Sequence, residues 1–275
     1  MRKSNEYYWE NKKDRTKMAV AHTNEMAVKY PQRIANCIDK TVVYDYRTNH
    51  PYGAVSNNVG QMRMSVLKTD TVDALFKVNG EKIAVLNFAS YKNPGGGFMI
   101  GSRAQEECLC HESFLYNVLR EFEEDYYWKN RKDLNRALYR DRALYSPKVT
   151  FEHDDEVKEA DVITCASPNF SAAYKFVSRE ENNKWMRKRI RFLLNIAKKE
   201  QVDTLILGAC GCGVFQQDPN FVAACFVEEC EQIFENTNIH VVFAVIPPLP
   251  NQTNNLLPFV AAVENYNKIL KRKNK

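Results

Sequence analysis

Two adjacent glutamates, Glu106 and Glu107, follow a run of three glycines after a short spacer, in the segment NPGGGFMIGSRAQEE (93–107). Neighbouring carboxylates repel each other, so a fold that keeps both beside a glycine-rich backbone is expected to use them together. A carboxylic acid can give a proton to a leaving oxygen, and the resulting carboxylate can then activate water. These residue types therefore favour acid/base hydrolysis as the chemistry of this segment.

The glycine run comes directly after a predicted buried strand, IAVLNFAS (83–90). Ligands of open α/β sheets lie beyond the carboxyl ends of the strands, and glycines let a backbone approach a ligand closely. The sequence QEE is predicted to begin a helix, where the helix dipole favours a carboxylate. A tight turn followed by a solvated pair of glutamates is the alternative interpretation, and this segment alone leaves it open.

A second glycine loop has the same order of elements, because TLILGACGCGVFQQDPNF (204–221) reads as strand, glycine loop and helix. Gly208, Gly211 and Gly213 can leave several N–H groups unpaired and convergent, which suits a phosphate or diphosphate. The segment is not a Walker A loop, since no Gly-Lys-Ser/Thr follows, and its glycine spacing is the reverse of a Rossmann loop. The two loops together favour a nucleotide-like site.

Short apolar segments rich in β-branched residues are predicted strands. They lie at 41–45, 64–68, 82–90, 161–167, 204–210 and 240–246, and helical patterns lie at 105–130, 183–200 and 219–237. This alternation predicts an α/β fold with helices on both faces of a sheet. Residues 1–40 are predicted to form a helical extension packed on a main domain of residues 41–275. The acidic segment 151–161 is predicted to be a solvated loop.

The composition is that of a globular protein, with 275 residues, 44% hydrophobic and 27% charged. The formal net charge of +5 fits an anionic ligand but does not by itself indicate nucleic-acid binding. Eight cysteines without a CxxC pair are expected to be reduced thiols of a cytoplasmic protein. No apolar run approaches the length of a membrane span, so no membrane contact is expected. The oligomeric state stays open.

Two CxC pairs, at 108–110 and 210–212, are the strongest candidates for a metal site. Zinc needs thiolates that converge, whereas residues two apart on a helix face different sides. We therefore expect no metal and no cofactor. The sequence also lacks HExxH and GxSxG, which removes the metalloprotease and serine hydrolase motifs.

The spacing of GGG at 95–97 and QEE at 105–107 resembles the signature of poly(ADP-ribose) glycohydrolases. The segments LNFASYKNPGGGFMIGSRAQEE, ITCASPN and LGACGCGVFQQDP are similar to the microbial, bacterial-type branch of that family. The likeness extends over roughly residues 40–246. It implies a macrodomain-like three-layer α/β/α sandwich with a mixed central sheet, which binds ADP-ribose across its strand ends. Cys210 stands where the family more often has a large aromatic residue.

The resemblance also implies roles for single residues. Glu107 would be the catalytic acid/base, and Glu106, also in the catalytic pair, would orient the substrate ribose. Gln105 would support the loop, and Phe215 would pack against the ribose beside the bond being cut. The other implied substrate-binding residues are Asn93, Gly95, Gly96 and Gly97 in the first loop, and Gly211, Cys212, Gly213 and Val214 in the second, whose backbone would bind the diphosphate.

The implied activity is hydrolysis of the ribose–ribose O-glycosidic bonds of poly(ADP-ribose), with release of ADP-ribose and without a metal. The expected partners are poly(ADP-ribose) or ADP-ribosylated macromolecules. One alternative is a hydrolase of mono-ADP-ribosyl groups on protein or nucleic acid. Another is a non-catalytic ADP-ribose reader module, against which the intact QEE argues, because binding alone needs no carboxylate pair. Asp70 and Phe88 are the candidates for adenine contacts, and endo- versus exo-cleavage stays open.

Overall fold

A computed structural model describes residues 11–250 and 253–273 of the chain. The first ten residues of the predicted helical extension lie outside the described residues, and the rest of it is helical, as α1 (Lys12–Lys29) and α2 (Pro31–Lys40). The side chain of Asn11 caps α1 by accepting from the backbone N–H of Lys13 at 2.9 Å. Proline begins α2, where its missing N–H costs nothing. The domain boundary at residue 40 stays a prediction.

Within the described residues, one mixed sheet of seven strands has the order β1–β4–β5–β3–β6–β7–β2. The strands are β1 (Val42–Asp45), β2 (Arg63–Leu67), β3 (Ile83–Phe88), β4 (Arg142–His153), β5 (Glu156–Cys165), β6 (Thr204–Leu207) and β7 (His240–Ala244). Strand β4 is antiparallel to both of its neighbours, whereas β5, β3, β6, β7 and β2 pair in parallel. The carboxyl ends of these five strands therefore meet at one edge of the sheet.

The remaining helices follow the strands along the chain. They are α3 (Thr71–Lys77), α4 (Gln105–His111), α5 (Leu115–Leu119), α6 (Lys129–Lys132), α7 (Phe170–Ala173), α8 (Arg179–Lys199), α9 (Pro219–Ile233) and α10 (Leu256–Lys273). The longer ones begin at a side-chain cap. Ser178 accepts from the N–H of Glu181 at 3.1 Å to begin α8, and Asp218 accepts from the N–H of Asn220 at 2.9 Å to begin α9.

Two buried clusters lie on opposite faces of the sheet. Along the central strand β3, Ala84 and Leu86 join the cluster of α8, α9 and α10, while Ile83 and Val85 join the cluster of α1 to α5. This alternation is the period-two pattern of a strand that is buried on both faces. It confirms the predicted three-layer α/β/α sandwich with a mixed sheet. No helix in the described part of the chain is both long and apolar enough to cross a membrane.

The predicted solvated loop at 151–161 is wrong, because these residues form the turn and the adjoining strand ends of a β-hairpin. Phe151 pairs with Lys158, and His153 pairs with Glu156, across a turn at 154–155. The ring of Phe151 is fully buried, whereas Glu156 on the partner strand is exposed. The acidic side chains on the solvent face hide the strand pattern, and β4 as a whole was not predicted.

The helical pattern predicted at 105–130 is interrupted in the structure. Helix α4 ends at His111 and α5 begins at Leu115, after which the chain passes through a 3₁₀ turn and a π turn to α6. The hydroxyl of Ser113 donates to the carbonyl of Leu109 at 2.6 Å and accepts from the N–H of Leu115 at 3.0 Å. A serine that bonds to backbone groups in this way competes with a continuous helix.

Candidate active site

The first glycine loop joins β3 to α4 by a tight turn, in which the N–H of Gly96 donates to the carbonyl of Asn93 at 3.0 Å. Gly95 and Gly96 both have a φ of +61°, a conformation that costs other residues about 1–2 kcal/mol. A Cβ on Gly96 would lie 2.6 Å from Oε1 of Glu107 and 2.8 Å from Oε2 of Glu106. Glycine is therefore required here both by the backbone and by the two carboxylates behind it.

Glu107 is held by the loop that precedes its own helix. Its Oε1 accepts from the N–H of Gly97 at 2.7 Å, and the residue is only 5% exposed. Its second oxygen, Oε2, is buried and has no hydrogen-bond partner in the described part of the protein. Leaving a buried polar atom unsatisfied costs about 1–3 kcal/mol, and native proteins keep few such atoms. This oxygen is thus available for a proton or for a ligand hydroxyl.

Glu106 is bound by the end of β3 instead. Its Oε2 accepts from the N–H of Ser90 at 2.7 Å, and its Oε1 accepts from Nδ2 of Asn87 at 3.2 Å. Burial raises the pKa of Glu106 to about 8 against the lowering effect of these two hydrogen bonds, and the charge of Glu107 adds to the rise. The burial of Glu106 therefore favours its protonated form, and the two hydrogen bonds oppose it. Its predicted contact with the substrate ribose stays a prediction, since both oxygens already accept from the protein.

Gln105 ties the first turn of α4 to β3. Its Oε1 accepts from the N–H of Phe88 at 2.8 Å, and its Nε2 donates to the carbonyl of Leu86 at 2.8 Å and to the hydroxyl of Thr71 at 3.1 Å. These bonds are the local reason why α4 begins beside the end of β3. They lie within the protein, so a direct contact of Gln105 with substrate stays a prediction.

The second glycine loop follows β6, which pairs in parallel with β3, so the two loops lie at the same edge of the sheet. A Cβ on Gly211, whose φ is +77°, would lie 2.5 Å from Oγ of Ser167, in the segment that follows β5. The backbone N–H groups of Gly211, Gly213, Val214 and Phe215 have no acceptor among the described residues. Free N–H groups in a tight loop form a site for an anion.

Cys212 departs from its predicted role as a backbone donor. Its N–H already donates to the carbonyl of Ala209 at 3.1 Å, so it is not one of the free donors. Its thiol is buried, and burial raises the pKa of both Cys212 and Cys210, the latter to about 12. Across residues 11–250 and 253–273, no group of three or more His, Cys, Asp or Glu side chains is placed to hold a metal ion.

An aromatic bridge of Tyr91, Tyr139 and Phe215 connects the two loops. The rings of Tyr91 and Tyr139 stack with centroids 4.0 Å apart and planes 9° apart, and Phe215 meets Tyr139 edge-on at 6.3 Å. Tyr139 has a φ of +62° and follows the left-handed segment Asn135–Ala137. Non-glycine residues in this conformation are strained, and such strain clusters at functional sites. The bridge fixes the position of Phe215 relative to the first loop.

Sequence reasoning does not find two of the residues that shape this site. Asn87 carries a detectable signal, because it is the one polar residue in the apolar strand IAVLNF, and it is fully buried. Tyr139 carries none, since a left-handed tyrosine is not marked by any turn or periodicity pattern.

Residues 9–154 match the model of the family described as microbial-type PARG, catalytic domain. The chain therefore belongs to the microbial-type poly(ADP-ribose) glycohydrolase (PARG) family. The poly(ADP-ribose) glycohydrolase of Thermomonospora curvata bound to the inhibitor ADP-HPD is 29% identical, with a TM-score of 0.77 over 90% of this chain and 99% of that chain. The enzyme of Deinococcus radiodurans in complex with ADP-ribose is 33% identical, with a TM-score of 0.74 over 85% and 98%. A search among curated proteins gives no match.

Membership of the PARG family confirms the macrodomain-like fold and the enzyme class that the sequence predicted, a hydrolase of glycosidic bonds. The likeness covers nearly the whole length of these solved relatives, and the first glycine loop lies within residues 9–154 of the family match.

Proposed function

We propose that this chain hydrolyses the ribose–ribose bonds of poly(ADP-ribose) and releases ADP-ribose, with Glu107 as the acid and base. The observation that carries the proposal is the carboxyl of Glu107, which is fixed through Oε1 by the N–H of Gly97 while Oε2 is buried without a partner in the described residues. The relatives solved with ADP-ribose and with ADP-HPD support an ADP-ribose unit as the ligand.

The second loop binds the diphosphate in this proposal. The free N–H groups at Gly211, Gly213 and Val214 are donors of the kind that phosphate oxygens accept. Phe215 packs against the ribose beside the bond being cut, and the aromatic bridge sets the distance from that ring to the first loop. Asn93 and residues 95–97 form the wall next to Glu107.

The reaction proceeds in two proton transfers. The carboxyl of Glu107 gives its proton to the leaving ribose oxygen as the bond to the anomeric carbon breaks, and the electron pair of that bond leaves with the oxygen. The remaining sugar passes through an oxocarbenium-like state. The carboxylate then takes a proton from water, whose oxygen bonds to the anomeric carbon, and Glu107 is restored. General acid/base catalysis of this kind contributes about 10²–10⁴-fold.

Glu106 acts on this reaction through the protein. Because burial raises its pKa to about 8, Glu106 favours the neutral form at neutral pH more than an exposed glutamate does. Its bonds to Ser90 and Asn87 hold the start of α4 against β3. Glu106 is thus proposed as a positioning residue for the carboxyl that reacts.

The test is incubation of the purified protein with poly(ADP-ribose) and, separately, with a mono-ADP-ribosylated peptide, followed by chromatography for free ADP-ribose. We expect ADP-ribose from the polymer. Release from the mono-modified peptide alone would favour the mono-ADP-ribosyl hydrolase instead. Tight ADP-ribose binding without product would favour the reader module, although a reader has no use for the buried, unpartnered oxygen of Glu107.

A cytoplasmic location is part of the proposal. All eight cysteines are free thiols in the structure, which is the usual state in a reducing compartment. Fractionation of the native host cells with an antibody against the chain would test this location.

A further inference from the structure

The turn at 174–176 projects two aromatic rings into water beside the second glycine loop. Tyr174 is 56% exposed and Phe176 is 69% exposed, with the exposed Lys175 between them. The Nζ of Lys175 lies 5.8 Å from the centroid of the Tyr174 ring. Single exposed apolar residues are ordinary, but large ones that occur together mark binding surfaces.

The fold holds this turn in a defined conformation. The N–H of Tyr174 donates to the carbonyl of Phe170 at 2.9 Å, and the N–H of Phe176 donates to the carbonyl of Ala173 at 2.8 Å. The side chains of Ala173 and Val177, on either side of the turn, are buried. The rings are therefore presented by a fixed backbone, which lowers the entropy cost of binding a partner to them.

The turn belongs to the segment that contacts the second loop directly. The N–H of Ser171 donates to the carbonyl of Phe215 at 3.2 Å, and Nη1 of Arg179 donates to the carbonyl of Gln216 at 3.2 Å. In the proposed function, Phe215 lies at the bond that is cut, and this bond joins the unit in the cleft to the next unit of the polymer. The next unit therefore begins beside Phe215 and the segment bonded to it.

The charges near the turn suit a chain of diphosphates. Lys175 and Arg179 supply positive charge around the two rings. Glu181 is neutralised by its ion pair with Arg136, which leaves Glu180 as the other nearby acid. Lys175 has no carboxylate partner in the described part of the chain. A polyanion carrying bases is the partner that such a mixture of exposed aromatic and basic side chains recognises.

We propose that the turn at 174–176 is a polymer subsite, where the adenine of the second ADP-ribose unit stacks on Tyr174 or Phe176 and its diphosphate is attracted by Lys175. The inference rests on the proposed function, because the position of Phe215 in the reaction places the second unit here. Stacking on an aromatic ring needs no base-specific hydrogen bonds, so it suits a repeating polymer that must shift by one unit after each cut.

The test compares the binding of free ADP-ribose with that of poly(ADP-ribose) chains of several units, in a Glu107→Gln background that suppresses turnover. The double variant Tyr174→Ala/Phe176→Ala is expected to weaken polymer binding roughly tenfold or more. Its affinity for free ADP-ribose is expected to stay within about twofold, since one unit fills the cleft alone. Lys175→Gln is expected to weaken polymer binding by less and to reduce its salt dependence. If Glu107→Gln still cleaves the polymer, the Tyr174→Ala/Phe176→Ala variant is compared with the wild type by the KM for poly(ADP-ribose) instead.

A matched control is Tyr52→Ala. Tyr52 is a 41% exposed tyrosine whose ring contacts are to His50 and to Phe192 of α8, with ring centroids 5.9 Å and 6.4 Å away. Its loss is expected to leave polymer affinity unchanged. Unchanged polymer affinity in the double variant, or an equal loss for polymer and free ADP-ribose, would overturn the polymer subsite and leave the hydrolytic function standing. If the polymer bound no tighter than ADP-ribose, the subsite would also be excluded. Failure of the proposed function would give a different result, because the wild-type protein would then release no ADP-ribose from the polymer.

Discussion

The two glycine loops share one sequence pattern, strand then glycines then helix, and differ in what surrounds their glycines. A Cβ on Gly96 would strike both carboxylates, and a Cβ on Gly95 would lie 2.8 Å from the ring of Tyr116. A Cβ on Gly213 would meet no atom within 4 Å, and the neighbouring Val214 is 81% exposed. The glycines of the first loop are therefore required by the packing of the protein itself. Gly213 instead leaves open space at the surface that a ligand could fill.

The same difference appears in the hydrogen bonds. In the first loop the N–H of Gly97 is used to hold Glu107, whereas in the second the N–H groups of Gly213 and Val214 have no acceptor among the described residues. In the proposed function, the first loop is a fixed wall that positions the reacting carboxyl, and the second loop binds the diphosphate. Similar glycine patterns thus have different surroundings and different hydrogen bonds at one edge of the sheet.

Gly96→Ala should break the first loop and have the largest effect. The added methyl group enters the space of both carboxylates at a positive φ, so we expect ADP-ribose release to fall about a hundredfold or more, as small displacements of reacting groups do. Gly53→Ala is the matched control, because Gly53 has a φ of +83° and no atom within 4 Å of an added Cβ. The Gly53→Ala variant should unfold at a lower urea concentration than the wild type and should release ADP-ribose at the wild-type rate. Equal rates in the two variants would contradict the account of Gly96.

The buried Glu106 should give the stability of the protein a distinctive pH dependence. Its folded pKa of about 8 lies above the ordinary value of 4.5, so between these two pH values the folded state holds more protons than the unfolded state. The free energy of unfolding should therefore fall as pH rises from about 5 to 8, by an amount on the order of a few kcal/mol. Urea unfolding of the wild type and of Glu106→Gln at several pH values measures this change in the free energy of unfolding. If the free energies of the two proteins differed by the same amount at every pH, Glu106 would not be the group that binds the proton.

Phe215→Ala tests the second loop at the bond being cut. We expect kcat to fall roughly tenfold, with a smaller change in the Kd of ADP-ribose, because the ring aligns the ribose rather than anchoring the ligand. Tyr139→Ala should also lower kcat, because it removes the middle ring of the aromatic bridge. Tyr139→Phe keeps that ring and should keep the wild-type kcat. A change in Kd alone would mean that the ring contributes only affinity.

Gly213→Ala should have the smallest effect and sharpen the contrast with Gly96. Folded stability should change by less than about 0.5 kcal/mol, since nothing in the structure surrounds the new methyl group. ADP-ribose binding should weaken a few-fold, because the methyl group enters the space that the diphosphate approaches. A large loss of stability in Gly213→Ala would instead show that the protein itself needs the space beside Gly213.

Local patterns predict most of the fold because its central strands are continuous apolar runs between helices of clear periodicity. They fail at β4 and the first half of β5, where the pairing of Phe151 with Lys158 is a contact across a hairpin whose outer residues are charged. They also fail for the interrupted helix after Glu107, where Ser113 uses its hydroxyl on the backbone. Both failures arise where a tertiary or side-chain contact overrides a local preference.

The site is predictable as a set of segments but less so as a set of contacts. The GGG and QEE segments come together as the sequence indicates, and Gly96 lies against both glutamates. Which of the two glutamates binds the loop and which binds β3 depends on Asn87 and Ser90 in three dimensions. The strained Tyr139, which connects the loops, has no signature in the sequence at all.

The most direct test of the central claim is a pair of measurements on Glu107→Gln, the rate of ADP-ribose release from poly(ADP-ribose) and the Kd of free ADP-ribose. If the carboxyl of Glu107 is the proton donor, the rate should fall by at least about a hundredfold while the Kd stays within about threefold. Continued hydrolysis by this variant, or loss of ADP-ribose binding together with the rate, would contradict the account.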